Sequence, residues 1–107
     1  MANTRIQVPD DAKRGEVMEI RLLIRHPMET GFRHDNRGRR IPKNVIHSLR
    51  CQYNGTEVFR AEFSSGIAAN PYLSFFTVAR DSGELEFIWT DDTGVTETER
   101  VPITVKE

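Results

Sequence analysis

The sequence lacks the residues and patterns that would mark several classes of protein. A single cysteine, Cys51, excludes an internal disulfide. No apolar run is long enough to span a bilayer, and residues 1–16 hold no apolar stretch like the centre of a secretory signal peptide. The net charge of −1 argues against a general role on nucleic acid or on a membrane surface. By themselves, these absences predict a cytoplasmic protein.

Charged residues are distributed unevenly along the chain. Residues 33–43 hold five basic residues and one acidic residue, a local charge of +4. Residues 81–107 hold two basic and eight acidic residues, a local charge of −6. Such an asymmetry can steer a charged partner, although two solvated surfaces would give the same pattern. Only Phe32 lies near the basic stretch for stacking on bases, so nucleic-acid binding is not predicted.

Apolar residues recur mainly at every second position, which predicts β-strands and no helix. The seven predicted strands span residues 4–8, 16–25, 45–53, 56–63, 72–80, 84–91 and 95–105. Asn54 and Gly55 predict a two-residue hairpin turn, and Pro102 predicts an edge strand or a bulge. Seven short strands in 107 residues predict one all-β domain over residues 1–107, an immunoglobulin-like two-sheet β-sandwich.

The alternation also assigns side chains to the inner and outer faces of these strands. It places Val45, His47, Leu49, Cys51 and Tyr53 on one inward face, and it leaves Ile46 outward.

An apolar surface is predicted on the outside of one sheet. Leu23 lies on the outer side of strand 16–25, and Phe76 and Val78 lie on the outer side of strand 72–80. In an immunoglobulin-like order these two strands are neighbours, so the three side chains predict an exposed patch, which usually marks a partner surface. The alternative is that a loop or the first strand covers one of them.

The residues capable of catalysis or metal binding do not form a recognisable set. His47 and Cys51 lie about 13 Å apart along one strand, while His26 and His34 share the long connection 26–44. No close cysteine or histidine pair has the spacing of a metal site. We therefore predict no catalytic residue and no metal or cofactor, and we interpret Cys51 as an inert core thiol. Two alternatives stay open: a small metal-binding redox protein using His26 and His34, and a stand-alone protein-binding module.

One long motif resembles a known family. The stretch HPMETGFRHDNRGRRIPKNVI at 26–46 resembles the signature loop of the SoxZ family, the smaller subunit of the SoxYZ sulfur-oxidation carrier complex. Shorter matches follow in order, at NG (54–55), NPYLSF (70–75) and WTDDTG (89–94). The resemblance covers essentially residues 5–105.

This resemblance implies a non-catalytic subunit that pairs with a SoxY subunit as a heterodimer. In that family a cysteine on the C-terminal arm of SoxY carries the sulfur intermediate of thiosulfate oxidation, and Cys51 does not match it. The resemblance also implies transient contacts with the Sox enzymes and a periplasmic location, reached by export with a signal-bearing partner. The expected partner-binding residues are Leu23, Phe76 and Val78 at the centre of the interface, and His26, Met28, Glu29 and Arg33 in the long loop.

Overall fold

A computed structural model describes residues 4–64, 67 and 69–107, and it confirms the predicted all-β, immunoglobulin-like sandwich. Its strands are β1 (Thr4–Gln7), β2 (Ala12–Lys13), β3 (Val17–Ile24), β4 (Ile46–Tyr53), β5 (Thr56–Glu62), β6 (Tyr72–Val78), β7 (Gly83–Asp91), β8 (Thr96–Ile103) and β9 (Val105–Lys106). All seven predicted strands are present, with ends within two residues of the predicted ones. No membrane-spanning helix is found in the part of the chain that the structure describes.

Two antiparallel sheets form the sandwich. One has three strands in the order β1-β3-β6, and the other has four strands in the order β5-β4-β7-β8. Among the described strands, β8 pairs only with β7, so Pro102 lies on an edge strand, as its missing N–H group predicted.

Inward-facing apolar side chains from both sheets fill the space between them. β3 contributes Met18, Ile20, Leu22 and Ile24, each at most 2% exposed. Aromatic rings join the sheets: Phe59 stacks on Phe75 with ring centroids 4.3 Å apart, and Phe87 meets Phe75 edge-on at 6.4 Å. This packing fixes which face of each strand is turned to solvent.

The faces predicted for the start of β4 are wrong. The register between β4 and β7 shifts between Ile46 and Ser48, because a bulge inserts one extra residue there. The extra residue reverses the alternation, so Ile46 is fully buried and His47 is exposed. Beyond the bulge, Leu49 and Cys51 point inward as predicted.

A short parallel pair, which the sequence analysis did not predict, joins the two ends of the described chain. β2 pairs with β9, with Ala12 opposite Val105. Arg14 reinforces this pairing through ion pairs with Asp81 at 2.6 Å and Glu107 at 2.7 Å. The last predicted strand is therefore two strands, β8 and β9, separated at residue 104.

Candidate partner-binding surface

Three exposed apolar side chains cluster on the outer face of the three-stranded sheet. Val17 of β3 lies directly opposite Val78 of β6, and Phe76 follows on the same face two residues away. Phe76 is 65% exposed, and Val17 and Val78 are also exposed. Opposed side chains of neighbouring strands lie about 5 Å apart, so these residues form one continuous surface, which we call the Phe76 patch. It contains two of the three predicted central residues.

Leu23, the third predicted residue, lies apart from the Phe76 patch. Its cross-strand neighbour is Tyr72, four residues from Phe76, which is about 13 Å along the strand. The intervening surface is polar, because Arg21 forms an ion pair with Glu19 at 3.1 Å. Tyr72 is 60% exposed and was not among the predicted partner-binding residues. The alternation could have identified it, since Tyr72 shares a face with Phe76.

His26 joins three segments at one end of the sandwich. Its Nδ1 accepts a hydrogen bond from the Met28 N–H at 2.9 Å, so the ring proton belongs on Nε2, which lies 3.3 Å from Oδ2 of Asp91. The main chain of His26 bonds to Asn70 twice, donating to Oδ1 at 2.9 Å and accepting from the Asn70 N–H at 2.8 Å. The structure thus brings together the HPMETG, NPYLSF and WTDDTG motifs, which are far apart in sequence.

Asp91 is the main hydrogen-bond acceptor at this end. Its Oδ1 accepts from the Thr93 N–H at 3.0 Å, from the Thr93 hydroxyl at 2.5 Å and from the Val95 N–H at 3.3 Å. Burial alone would raise the pKa of Asp91, but the hydrogen bonds from Thr93, His26 and Val95 outweigh burial and lower it. The carboxylate therefore stays ionised and holds the β7–β8 hairpin against the His26 segment.

Met28 lies in the core rather than on the surface. It is 3% exposed, and its main chain takes the left-handed conformation with φ 50°. Its sulfur accepts a hydrogen bond from the Ile46 N–H at 3.3 Å. In this conformation Met28 shapes the loop from within, which does not favour the predicted direct contact with a partner.

Glu29 and Arg33 form an ion pair near the surface. Both Arg33 Nε, at 3.0 Å, and Arg33 Nη2 donate to the Glu29 carboxylate, which lowers the pKa of Glu29. The Glu29 main chain is fixed by two 2.8 Å hydrogen bonds with Asn44. With Met28, these two residues line a shallow pocket of about 390 Å³. Three of the four predicted loop residues, Met28, Glu29 and Arg33, therefore line one pocket.

Beyond Arg33 the loop forms a small exposed hairpin, residues 33–41, which we call the basic hairpin. The Ile41 N–H donates to the Arg33 carbonyl at 2.9 Å. At the tip, Asp35 Oδ1 accepts from the N–H groups of Arg37 and Arg39, both at 2.9 Å. The side chains of Arg37, Arg39 and Arg40 are exposed, and Phe32 at its base is 75% exposed. An ordered, positively charged hairpin therefore projects from this end.

The candidate residues for redox or metal chemistry do not converge. Cys51 is fully buried, and burial raises the pKa of its thiol to about 12. His26 is engaged by Met28 and Asp91, and His34 lies on the basic hairpin opposite Arg40. Within residues 4–64, 67 and 69–107, no group of three or more His, Cys, Asp and Glu residues could hold a metal ion. The described residues therefore provide no ligand set for the loop-histidine metal site.

Comparison with protein families identifies the chain. Residues 6–102 match the family model described as "Sulphur oxidation protein SoxZ". The chain belongs to the SoxZ family. Membership places this SoxZ-family chain in sulfur oxidation and confirms the resemblance seen in the HPMETG motif. No curated protein matches the sequence.

Solved structures with the same fold support this assignment of architecture. The sulfur carrier protein SoxY from Chlorobium limicola f. thiosulfatophilum is similar over 97% of the SoxZ-family chain and 79% of its own length, with 10% identity and a TM-score of 0.65. A superoxide reductase (neelaredoxin) from Ignicoccus hospitalis covers 98% and 82%, with 19% identity and a TM-score of 0.75. A putative superoxide reductase from Thermotoga maritima covers 97% and 86%, with 19% identity and a TM-score of 0.73. At these identities the likeness is one of fold alone.

Proposed function

We propose that this chain is a non-catalytic subunit of a SoxYZ carrier complex for thiosulfate oxidation. It binds a SoxY-type subunit, whose C-terminal arm cysteine carries the sulfur intermediate, and it helps the Sox enzymes dock. Family membership over residues 6–102 supports the carrier-complex role. The buried Cys51 thiol supports a division of labour in which the partner supplies the reactive cysteine.

The observation that carries this proposal is the uncovered Phe76 patch. Exposing Val17, Phe76 and Val78 to water is unfavourable, at roughly 25 cal/mol for each Å² of apolar surface. A partner that covers the patch recovers this free energy. Stable interfaces bury about 800 Å² on each partner with an apolar centre. The outer face of β3 and β6 offers such a centre at its Val78 end, where the Phe76 patch lies, and the polar pair Glu19 and Arg21 separates this centre from Tyr72 at the other end.

We assign the transient contacts with Sox enzymes to the loop at the other end of the molecule. The basic hairpin and the Glu29–Arg33 pocket are exposed there, and an exposed cluster of like charges accelerates encounter with an oppositely charged partner. The proposal therefore separates a lasting apolar interface from a charged surface for short-lived contacts. It places the complex in the periplasm, exported together with the signal-bearing SoxY-type subunit.

Replacing Phe76 with Asp tests the apolar interface. The substitution puts a charge at the centre of the patch, so we expect the variant to lose co-purification with its co-expressed SoxY-type partner, because a buried unpaired carboxylate is costly. Phe76 already faces solvent, so the isolated variant should keep the wild-type circular dichroism spectrum and unfolding midpoint.

The matched control is Val95→Asp, since Val95 is also an exposed apolar residue but lies in the β7–β8 hairpin, away from the patch. It should co-purify like the wild type. Undiminished co-purification of the Phe76 variant would contradict the assignment of the interface to this face.

A further inference from the structure

Among the described residues, none forms a main-chain hydrogen bond with the outer edge of β6. Just beyond the two ends of β6, the Pro71 carbonyl accepts from the Ile24 N–H at 3.0 Å and the Ala79 N–H donates to the Glu16 carbonyl at 2.8 Å, both toward the β3 side. Along an antiparallel strand, the N–H and C=O groups of successive residues point alternately to one side of the strand and to the other. The N–H and C=O groups of Tyr72, Ser74, Phe76 and Val78 therefore point away from β3. No strand of the described residues pairs with that edge.

The other three edges of the two sandwich sheets, β1, β5 and β8, carry features that discourage pairing with another chain. β1 has four residues and an exposed Arg5. β8 contains Pro102 and carries charged residues on both faces. β5 carries three charged residues, and its pairing with β4 is interrupted by a register shift at Cys51. Short length, proline, charge and bulges are the means by which sheet proteins prevent edge-to-edge association.

β6 has none of these devices. Its sequence, YLSFFTV, contains no charge, proline or glycine, and its seven residues pair with β3 without a register shift. At about 3.3 Å per residue, this edge offers roughly 23 Å of regular, uncharged strand. A long unprotected edge of this kind is either an aggregation hazard or a place that a partner normally occupies.

We propose that the SoxY-type subunit adds an extended strand to the outer edge of β6, so that the three-stranded sheet continues into the partner. This inference rests on the proposed function and specifies how the partner is recognised. The solved SoxY protein has the same sandwich fold, so a chain of that fold has sheet edges of its own to offer. Main-chain hydrogen bonds then supply affinity, and side chains at alternate positions supply specificity.

The surroundings of the edge define the chemistry of the added strand. Side chains on its outer face extend the Phe76 patch, so they are apolar. Side chains on its inner face point toward a pocket of about 420 Å³ between β5 and β6, lined by Val58, Thr77 and Arg80 among others. This lining is mostly polar, so small or polar residues fit the inner positions. The partner segment is therefore an extended strand that alternates apolar and polar residues.

Amide hydrogen exchange, measured by NMR on the labelled chain alone and in the co-purified complex, tests this arrangement residue by residue. We expect exchange of the Ser74, Phe76 and Val78 amides to slow by at least about tenfold in the complex. The Leu73, Phe75 and Thr77 amides already bond to β3, so they provide an internal control and should be slow in both samples. A complex that forms while the first three amides exchange at their free rates would overturn the inference and leave the proposed function standing.

Ser74→Pro provides a second test that leaves the apolar face intact. The substitution removes an N–H that points to the free edge and places a ring in the path of the added strand. We expect partner affinity to fall by at least about tenfold, with the fold retained by circular dichroism. Thr98→Pro on β8 is the matched control. Thr98 lies four residues before Pro102 on an edge strand, so its main-chain groups point to the same side of the strand as those of Pro102. It should change the affinity by less than about twofold.

The outcomes separate the two hypotheses. If Phe76→Asp abolishes pairing and Ser74→Pro does not, the partner covers the face without adding a strand, and the inference is wrong. If the wild-type chain forms no complex at all, the proposed function itself fails. If the outward amides are protected in the free chain and lose that protection on dilution, a second copy occupies the edge, which also overturns the inference.

Discussion

At the scale of single residues, the side chains most capable of catalysis or metal binding are engaged in holding segments of the fold together. His26 was a candidate metal ligand and a candidate partner contact. In the structure, its ring connects the Met28 main chain to the Asp91 carboxylate. A partly buried carboxylate with several donors around it rigidifies its surroundings, because losing one partner leaves a polar group unsatisfied. The conspicuous residues of the HPMETG and WTDDTG motifs are therefore explained by architecture.

Replacing Asp91 with Asn tests this role. The amide can keep the bonds to Thr93 and Val95 through its oxygen, but it removes the charge and the acceptor for His26. We expect the free energy of unfolding at pH 7 to fall by about 1–3 kcal/mol, measured by urea denaturation. Asp10→Asn, at an exposed position, should leave it unchanged.

The pH dependence of the difference in unfolding free energy between the wild type and Asp91→Asn tests the role of the Asp91 charge. Hydrogen bonding keeps the pKa of Asp91 in the folded chain below its ordinary value of 3.8. The ionised carboxylate therefore adds stability above that value, and this stability is lost as the pH falls through the folded-state pKa. The difference between the wild type and Asp91→Asn should be largest near neutral pH and shrink below about pH 4. A difference that stays constant down to pH 3 would exclude a role for the Asp91 charge.

At the scale of elements, period-two alternation was sufficient where a strand is regular and long. It failed at Ile46 and His47, because a bulge reverses the faces and no pattern in a single sequence marks its position. The pairing of β2 with β9 could not be predicted either, since two-residue strands have no periodicity and their partners are distant in sequence. The strand register determines which residues form the candidate surface. Alternation placed Leu23 and Phe76 on one face, but only the pairing shows that Leu23 lies opposite Tyr72.

The basic hairpin is the element that we assign to the Sox enzymes, and charge reversal tests it. We expect Arg37→Glu with Arg39→Glu to weaken binding of a Sox enzyme to the intact complex by about tenfold at low ionic strength. The difference should diminish as salt screens the charges. Isothermal titration or surface plasmon resonance provides the measurement, and co-purification with the SoxY-type partner should not change.

Arg50→Glu with Arg60→Glu is the matched control for charge. These two exposed arginines lie opposite each other on β4 and β5, and the double change alters the net charge by the same amount. If this control weakens enzyme binding as much as the hairpin variant does, overall charge rather than the hairpin governs the encounter.

At the scale of the whole molecule, the chain is elongated. Its extents are 60 × 22 × 19 Å, and its radius of gyration is 16.2 Å, compared with about 13 Å for a compact domain of 100 residues. Strands of seven to nine residues account for roughly 23–30 Å of the length. The rest comes from segments beyond the strand ends. The fold class followed from alternation, whereas this shape depends on loops whose local hydrogen bonds have no periodic signature.

The proposed periplasmic location is also a property of the whole assembly. When the chain is produced together with a signal-bearing SoxY-type subunit, we expect it in the periplasmic fraction if it is exported as part of a folded complex, as we propose. When Phe76→Asp is produced with the partner, we expect less of the chain in the periplasmic fraction, because the variant loses pairing. Immunoblotting of the fractions provides the measurement. Periplasmic protein in the absence of any partner would show that export does not depend on pairing.

The distance between the two proposed surfaces has a kinetic consequence. The Phe76 patch lies at the Val78 end of β6, while the basic hairpin follows the opposite end of β3. A permanent subunit on β6 therefore leaves the hairpin accessible, and one enzyme can leave and another arrive without competing with that subunit. Successive reactions on one sulfur intermediate then do not require the two subunits to separate. In this arrangement, release of one enzyme from the basic hairpin and binding of the next are the exchanges that separate two steps.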